Sequence, residues 1–188
     1  MKSVTAAKTA ARIAWWCMNN KDRFGCVIND GNEAMLFKAQ NSQANLSMIF
    51  KKISNVSKNI LNASNNSTKS IRLKQSISLL EHVIRYKAIV FVISDFADFS
   101  DGTKKMLVML GKKARVTCVN VFDMIEKCPP VAGEYMVQQG NQKLVFSSRE
   151  SVFRQEYIKY FEEKHKKVKD FCHKFSMKYL ETNADTQC

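Results

Sequence analysis

The chain has 188 residues, 45% hydrophobic and 25% charged, a globular composition of one-domain length that excludes a disordered or fibrous protein. Thirty Lys and Arg against 17 Asp and Glu leave a formal charge of +13, which favours acidic surfaces or nucleic acid as neighbours. The longest apolar run, residues 88–93, falls far short of the ~18 residues of a membrane span, and no signal-peptide core opens the chain, so a soluble, cytoplasmic protein is expected.

The first twenty residues place Ala6, Ala10, Ile13, Trp16 and Cys17 at three-to-four spacing, which predicts a helix with one apolar face. A polar turn over 19–23 leads to a strand over 24–29. Asp30-Gly31 then predicts a hairpin with its return strand over 33–38. A helix follows over about 42–61, with Leu46, Ile49, Phe50, Ile53, Val56 and Ile60 on one side. After a polar loop at 62–68, Ile71, Ile77, Leu80 and Ile84 mark a second amphipathic helix over 70–85. Residues 88–94 are β-branched and aromatic without alternation, which predicts a strand buried on both faces of a parallel sheet. A short helix over 101–112, capped by Ser100 or Asp101, separates it from a second such strand at 116–122. Cys128-Pro129-Pro130 breaks the chain, and 135–137 with 144–146 flank Gln139-Gly140-Asn141 as a surface hairpin. One long helix is expected over 148–180, striped by Phe153, Tyr157, Phe161, Val168, Phe171, Phe175 and Tyr179; residues 181–188 are expected to fray. Helices alternating with buried strands predict a three-layer α/β fold with a mostly parallel sheet, in one domain over 1–180.

The chemistry-bearing residues are few. The six cysteines, at 17, 26, 118, 128, 172 and 188, form no Cys-x-x-Cys pair; disulfides are not expected, and most of the thiols read as small buried hydrophobes. His165, Cys172 and His173 share one helix, but zinc needs three or four converging ligands and no second cluster accompanies them. Asp123 and Glu126 form an Asp-x-x-Glu pair after a strand, with no nucleophile or base in triad context beside them. Basic residues are dispersed over the middle helices and the last one. They would attract nucleic acid without sequence preference, yet no RNP, KH or helix-turn-helix pattern accompanies them. No Walker A or GxGxxG motif is present. A catalytic constellation is therefore not expected.

Several stretches line up with one family. Lys2-Ser3-Val4-x-Ala6-Ala7, Ala14-Trp15-Trp16 and Asp22-Arg23-Phe24-Gly25 resemble its first helix and second strand. Ile93-Ser94-Asp95-Phe96 resembles the end of its central strand. Val121-Phe122-Asp123-x-x-Glu126 and Pro129-Pro130-x-x-Gly133-Glu134-Tyr135 resemble its fifth strand and the loop after it, and Leu180-Glu181-Thr182 resembles its end. The ordered set resembles the bacterial von Willebrand factor A-like proteins called domain of unknown function fifty-eight, commonly encoded beside MoxR-type AAA+ ATPases.

The resemblance implies a strand with an Asp-x-Ser-x-Ser motif before the first helix, in the middle of the sheet between the 24–29 and 88–94 strands. That motif supplies most ligands of a metal-ion-dependent adhesion site. Without it the fold would be expected to lack its first central strand, as in a truncated or split gene product. Lost hydrogen bonds at ~0.5–1.5 kcal/mol each and lost aliphatic burial at about 1.5–3 kcal/mol each would total of order 10 kcal/mol, comparable with a domain's whole stability. A marginal, aggregation-prone isolated chain is the expectation. By the resemblance Asp95 is the third-motif carboxylate, and Ser42, or less closely Asn45, stands near the second motif. One carboxylate and one hydroxyl are too few for the octahedral oxygen shell of Mg²⁺, so no cofactor is expected unless a partner supplies the missing ligands. The resemblance implies a non-enzymatic protein-interaction module with a degenerate site. Its partner would be a MoxR-type ATPase or an upstream-encoded protein half. A basic nucleic-acid-associated protein is the alternative.

Overall fold

The computed structural model describes residues 2–62, 73–139 and 142–184. In chain order the elements are α1 (Lys2–Asn19), β1 (Phe24–Asn29), β2 (Ala34–Gln40), α2 (Gln43–Asn62), α3 (Leu73–Val83), β3 (Ala88–Ser94), α4 (Asp101–Lys113), β4 (Ala114–Phe122), α5 (Met124–Lys127), β5 (Glu134–Gln139), β6 (Gln142–Ser147), α6 (Ser151–Lys174) and β7 (Lys178–Asn183). The expected α/β class is met, with a parallel sheet that has three strands among the described residues, in the order β3-β4-β7. The hairpins β1–β2 and β5–β6 are separate antiparallel sheets.

The sheet's two faces follow from strand periodicity. Val90 and Val92 of β3, with Val116 and Cys118 of β4, point to one side. There they are buried against Ile77 of α3, Leu107 and Leu110 of α4, and Val168 and Cys172 of α6. Val119 and Val121 point to the other side and are buried as well, where α1 packs across β3, β4 and β7. β4, paired on both edges, is buried at every position but Arg115. Complete burial of a strand with apolar residues on both faces is the property read from the sequence for 116–122.

The same expectation fails for β3. It pairs with β4 alone, and among the described residues its other edge carries no strand. Ile89 is 56% exposed and Phe91 36% exposed on the α1 side of the sheet. The hairpin β1–β2 packs on α1, α2 and α3 instead of joining β3. Its register shifts at Gly25, where an added Cβ would lie 2.7 Å from both Ala39 N and Phe37 O. Only glycine permits that approach of two backbones. Gly31, at φ +93°, closes the hairpin turn.

The C-terminal helix is also corrected. α6 ends at Lys174, not at 180, and residues 178–183 form β7, so 181–183 do not fray. Ser176 adopts φ +55°, and the Met177 amide reaches back to the Cys172 carbonyl at 2.8 Å. This left-handed cap stops the helix and turns the chain into the sheet. Tyr179 continues the 171-175 spacing of Phe171 and Phe175, which is why it resembles a helical position. In fact it pairs with Cys118 across β4. Residues 185–188, the loop at 63–72 and the Gly140-Asn141 turn lie outside the described residues. Among the described residues no helix is long and apolar enough to cross a membrane.

Candidate functional site

Parallel strands end together, so the loops after β3 and β4 and the strand end of β7 share one edge, where α/β proteins bind ligands. α1 starts at this edge. Lys2, in its first turn, places Nζ 2.8 Å from Asp95 Oδ2, just beyond β3, and 2.8 Å from Glu126 Oε1 in α5. The two carboxylate oxygens, each 2.8 Å from the same nitrogen, are therefore at most 5.6 Å apart. The Ala97 amide donates to Asp95 Oδ1 at 3.2 Å, and the Phe96 amide donates to Ser94 Oγ at 3.1 Å. These bonds shape a tight loop in which Phe96 sits at φ +48° with its ring buried. The Thr5 hydroxyl of α1 donates to the Ala184 carbonyl at 3.3 Å, fixing the helix start to the end of β7.

The electrostatics follow from this triangle. Burial opposes the charge on Lys2, but the hydrogen bonds and charges of Asp95 and Glu126 together outweigh it and raise the ammonium above its ordinary value. Burial likewise opposes ionisation of Asp95. Lys2, the Ala97 amide and the charge of Lys164 overcome it and hold the carboxyl below the usual range. Asp95 is thus a weak base near neutral pH, tied to a permanent cation.

Of the residues read from the sequence, Asp95 and Glu126 meet here through Lys2, which the sequence reading carried only as part of a family motif. Asp123 stands at the N-terminal boundary of α5. Ser42 is at the start of α2, where its hydroxyl accepts the Asn45 amide at 3.4 Å; it is not among the partners of Asp95. Asn45 is buried, and its side-chain amide donates to the Phe24 and Lys38 carbonyls at 3.4 and 3.5 Å, bracing the β1–β2 hairpin. Among the described residues no three His, Cys, Asp or Glu side chains gather as a metal site. The donors at the sheet edge do not fit a hexacoordinate Mg²⁺: the two carboxylates that face each other are bridged by an ammonium, and the nearby hydroxyls accept backbone amides.

A second polar group lies deeper along the same edge. His165 of α6 is buried against the rings of Phe161 and Phe122, with centroids 3.8 and 5.4 Å away. Its Nδ1 lies 3.3 Å from Asn120 Nδ2 and 3.2 Å from Glu181 Oε1. The Tyr179 hydroxyl accepts from Asn120 Nδ2 at 2.9 Å and donates to Glu181 at 2.9 Å. Burial pushes the Tyr179 phenol up and Glu181 adds to the rise, while the Asn120 hydrogen bond opposes it. Asn120 is 1% exposed, and its Oδ1 has no hydrogen-bond partner among the described residues. Cys172 is buried in the core and His173 is exposed, so the three candidates on the last helix do not converge.

Two solved structures resemble the chain at low identity. One is the BatB protein of Bacteroides thetaiotaomicron, a conserved hypothetical protein, at 12% identity and a TM-score of 0.49, with 94% of this chain and 80% of that one covered. The other is an aerotolerance-related membrane protein of Bacteroides fragilis carrying multiple mutations to serine, at 11% identity and a TM-score of 0.55, with 95% and 81% covered. The second likeness is one of fold alone. No curated protein matches the chain. The family model described as "Protein of unknown function DUF58" matches residues 1–167, nearly the whole chain, and to that family the protein belongs.

Proposed function

We propose that the protein is a non-enzymatic, cytoplasmic interaction module that works with a MoxR-type AAA+ ATPase, and that a partner polypeptide adds a strand to its sheet. The observation that carries the reading is the open flank of β3. An edge with exposed Ile89 and Phe91 offers unpaired backbone groups and apolar side chains in one row. Strand addition satisfies both at once, main-chain bonds giving affinity and side-chain pockets giving specificity. In this reading the added strand enters between β3 and the β1–β2 hairpin and comes from polypeptide outside these 188 residues. The adhesion site is degenerate: Lys2 holds the carboxylates that a cation would otherwise engage. The low basicity of Asp95 also argues against general-base chemistry at this edge.

The test is co-expression with a MoxR-type ATPase and with the product of the upstream reading frame. A co-purifying complex that is lost in Ile89→Lys and Phe91→Lys supports the proposal. No complex, together with a sharp monomeric transition of the lone chain above about 60 °C, refutes it. A basic nucleic-acid-associated protein remains the second reading, favoured by the +13 charge. Micromolar oligonucleotide binding with a steep salt slope would support it.

A further inference from the structure

We infer that the amino-terminal edge of the parallel sheet binds single-stranded nucleic acid, with phosphates on a cluster of Lys and Arg and bases on two exposed rings. The inference stands apart from strand addition at β3. It rests on the second, charge-based reading and gives that reading a place in the fold.

Parallel strands start together as well as end together, so the turns before β3, β4 and β7 meet at one edge. Ala88 pairs with Ala114, and Lys178 with Thr117, which sets the three starts within three residues of one another. The Lys87 amide donates to the Lys113 carbonyl at 2.9 Å, tying the first turn to the second. A Cβ on Gly111 would lie 3.1 Å from Met177 Cε, so the second turn meets the third.

Each turn brings cations. Arg85 and Lys87 precede β3. Lys112 and Lys113 end α4, and Arg115 follows in β4. Lys174 ends α6, and Lys178 opens β7. All of them are exposed. Within residues 81–89, 110–117 and 170–179, which build this edge, the carboxylates are Glu81 and Asp170, so the formal charge is +5. Glu81 is already paired with Lys113. α3, α4 and α6 all end here, and each helix terminus presents roughly half a negative charge. Three such ends offset about 1.5 of the positive charge and leave the surface cationic. The loops at the opposite edge carry Asp95, Asp98, Asp101, Asp123 and Glu126, so opposite charges gather at the two ends of the strands.

Two rings stand among these cations. Tyr86 lies between Arg85 and Lys87 in sequence and is 74% exposed. Phe175 is 40% exposed, with Lys174 Nζ 5.8 Å from its ring centre. Rings beside cations match the bases and phosphates of one strand. A duplex hides its base faces in the stack, and an acidic protein surface has none. A single strand is therefore the occupant that uses both the rings and the cations.

The experiment is fluorescence anisotropy of the full chain with a labelled oligo(dT) of about 15 nucleotides, over roughly 50–300 mM NaCl. Micromolar affinity near 100 mM salt is expected, with log K falling against log salt at a slope of about −2 to −4. Arg85→Glu with Lys178→Glu is expected to weaken binding at least about tenfold. Lys127→Glu with Lys159→Glu makes the same change of charge at the carboxyl edge and ~22 Å along α6 from Lys174. That pair is expected to weaken binding less than about threefold. An abasic oligomer of equal length is expected to compete at least about fivefold more weakly than oligo(dT), because it has no bases to stack. Photo-cross-linking of a 5-iodouracil oligonucleotide to the unaltered chain, followed by peptide mapping, is expected to mark Tyr86 or Phe175, and it does not depend on how the variants fold. Cross-links confined to residues outside this edge, an abasic competitor as good as oligo(dT), or displacement by tighter-binding phosphatidylglycerol vesicles would each overturn the assignment. Equal weakening by the two variant pairs would also overturn it, while leaving the charge-based reading in place. Failure of the ATPase complex with oligonucleotide binding intact would sink the proposed function and leave this inference standing.

Discussion

Removing the internal cation of the sheet edge, by Lys2→Met, is the most direct test of how that edge is held. Two ion pairs of 2.8 Å are lost, both between partly exposed side chains. Pairs of that kind contribute roughly 0.2–1 kcal/mol each, because solvent screens them and ordering the side chains opposes them. The two carboxylates are then left at most 5.6 Å apart with no cation between them. Their repulsion at that separation is ~3 kcal/mol at an effective dielectric of 20 and ~0.7 kcal/mol in bulk water, and the partial exposure favours the lower end. The expected destabilisation near neutral pH is about 1–3 kcal/mol, a fall in Tm of roughly 2–12 °C for a chain of this size. Thermal denaturation followed by circular dichroism measures it. The pH dependence fixes the cause. Asp95 is held below its ordinary value in the fold, so its contribution is present above about pH 3.8 and is lost as pH falls through the lowered value. Lys2 is raised, so its contribution is present below 10.5 and lost only as pH rises through the raised value. The difference between wild type and variant should therefore be flat between about pH 5 and 10 and shrink below about pH 4. An unchanged Tm at neutral pH, or a deficit that persists in acid, would refute the bridging role of Lys2.

Three further outcomes follow from the packing. Gly25→Ala should destabilise the protein by about 1–3 kcal/mol, since the new methyl meets backbone atoms that cannot move aside; a denaturant midpoint equal to wild type would count against the bulge geometry. Burial pushes the Cys26 thiol up to about 12, so at mildly alkaline pH an aromatic disulfide reagent should label exposed Cys128 quickly and Cys26 only on unfolding, as peptide mass mapping would record. Tyr179→Phe should cost roughly 1–2 kcal/mol in urea denaturation by removing its bonds to Asn120 and Glu181, and in the wild type its phenol and that of Tyr157 should ionise above the ordinary range in an ultraviolet titration.

Local signals carried most of the element order. The Ala–Ile–Trp spacing of 6–17 gave α1, Asp30-Gly31 gave the hairpin, and Ser100 before Asp101 gave the cap of α4, whose Oγ accepts the Thr103 amide. Each rests on residues within a few positions of one another. What the sequence did not disclose depends on partners far along the chain. Lys2 and Asp95 are 93 positions apart, and nothing near Lys2 marks it as the cation of a distant loop. Residues 88–94 are more apolar than 116–122, yet among the described residues β4 is covered on both edges and β3 on one, a difference set by topology and not by composition. β7 was hidden because Tyr179 falls in phase with Phe171 and Phe175. The left-handed turn at Ser176 that breaks this phase is made by a residue with no strong preference for it.

The placement of Lys2 also bears on where an acidic partner would bind. A divalent ion at a sheet edge recruits a ligand carboxylate because the site keeps positive charge after its own ligands are counted. Here two carboxylates share the Lys2 ammonium, with the charge of Lys164 nearby, so the cluster has no positive charge to spare for another carboxylate. A carboxylate ligand at the strand ends would need an ion that displaces Lys2. Elsewhere on the surface, lysines attract a carboxylate without a metal. The two arrangements differ in what breaks them. Lysine–carboxylate attraction is screened as ionic strength rises, with a Debye length near 8 Å at 0.15 M falling to about 3 Å at 1 M, and is indifferent to chelators. Coordination through a bridging ion is abolished by a chelator and far less affected by monovalent salt. Binding of an acidic peptide to surface lysines should therefore be unchanged by excess EDTA or added Mg²⁺ and fall steadily with NaCl. EDTA-sensitive binding would mean that an ion displaces Lys2, and would return recognition to the strand ends.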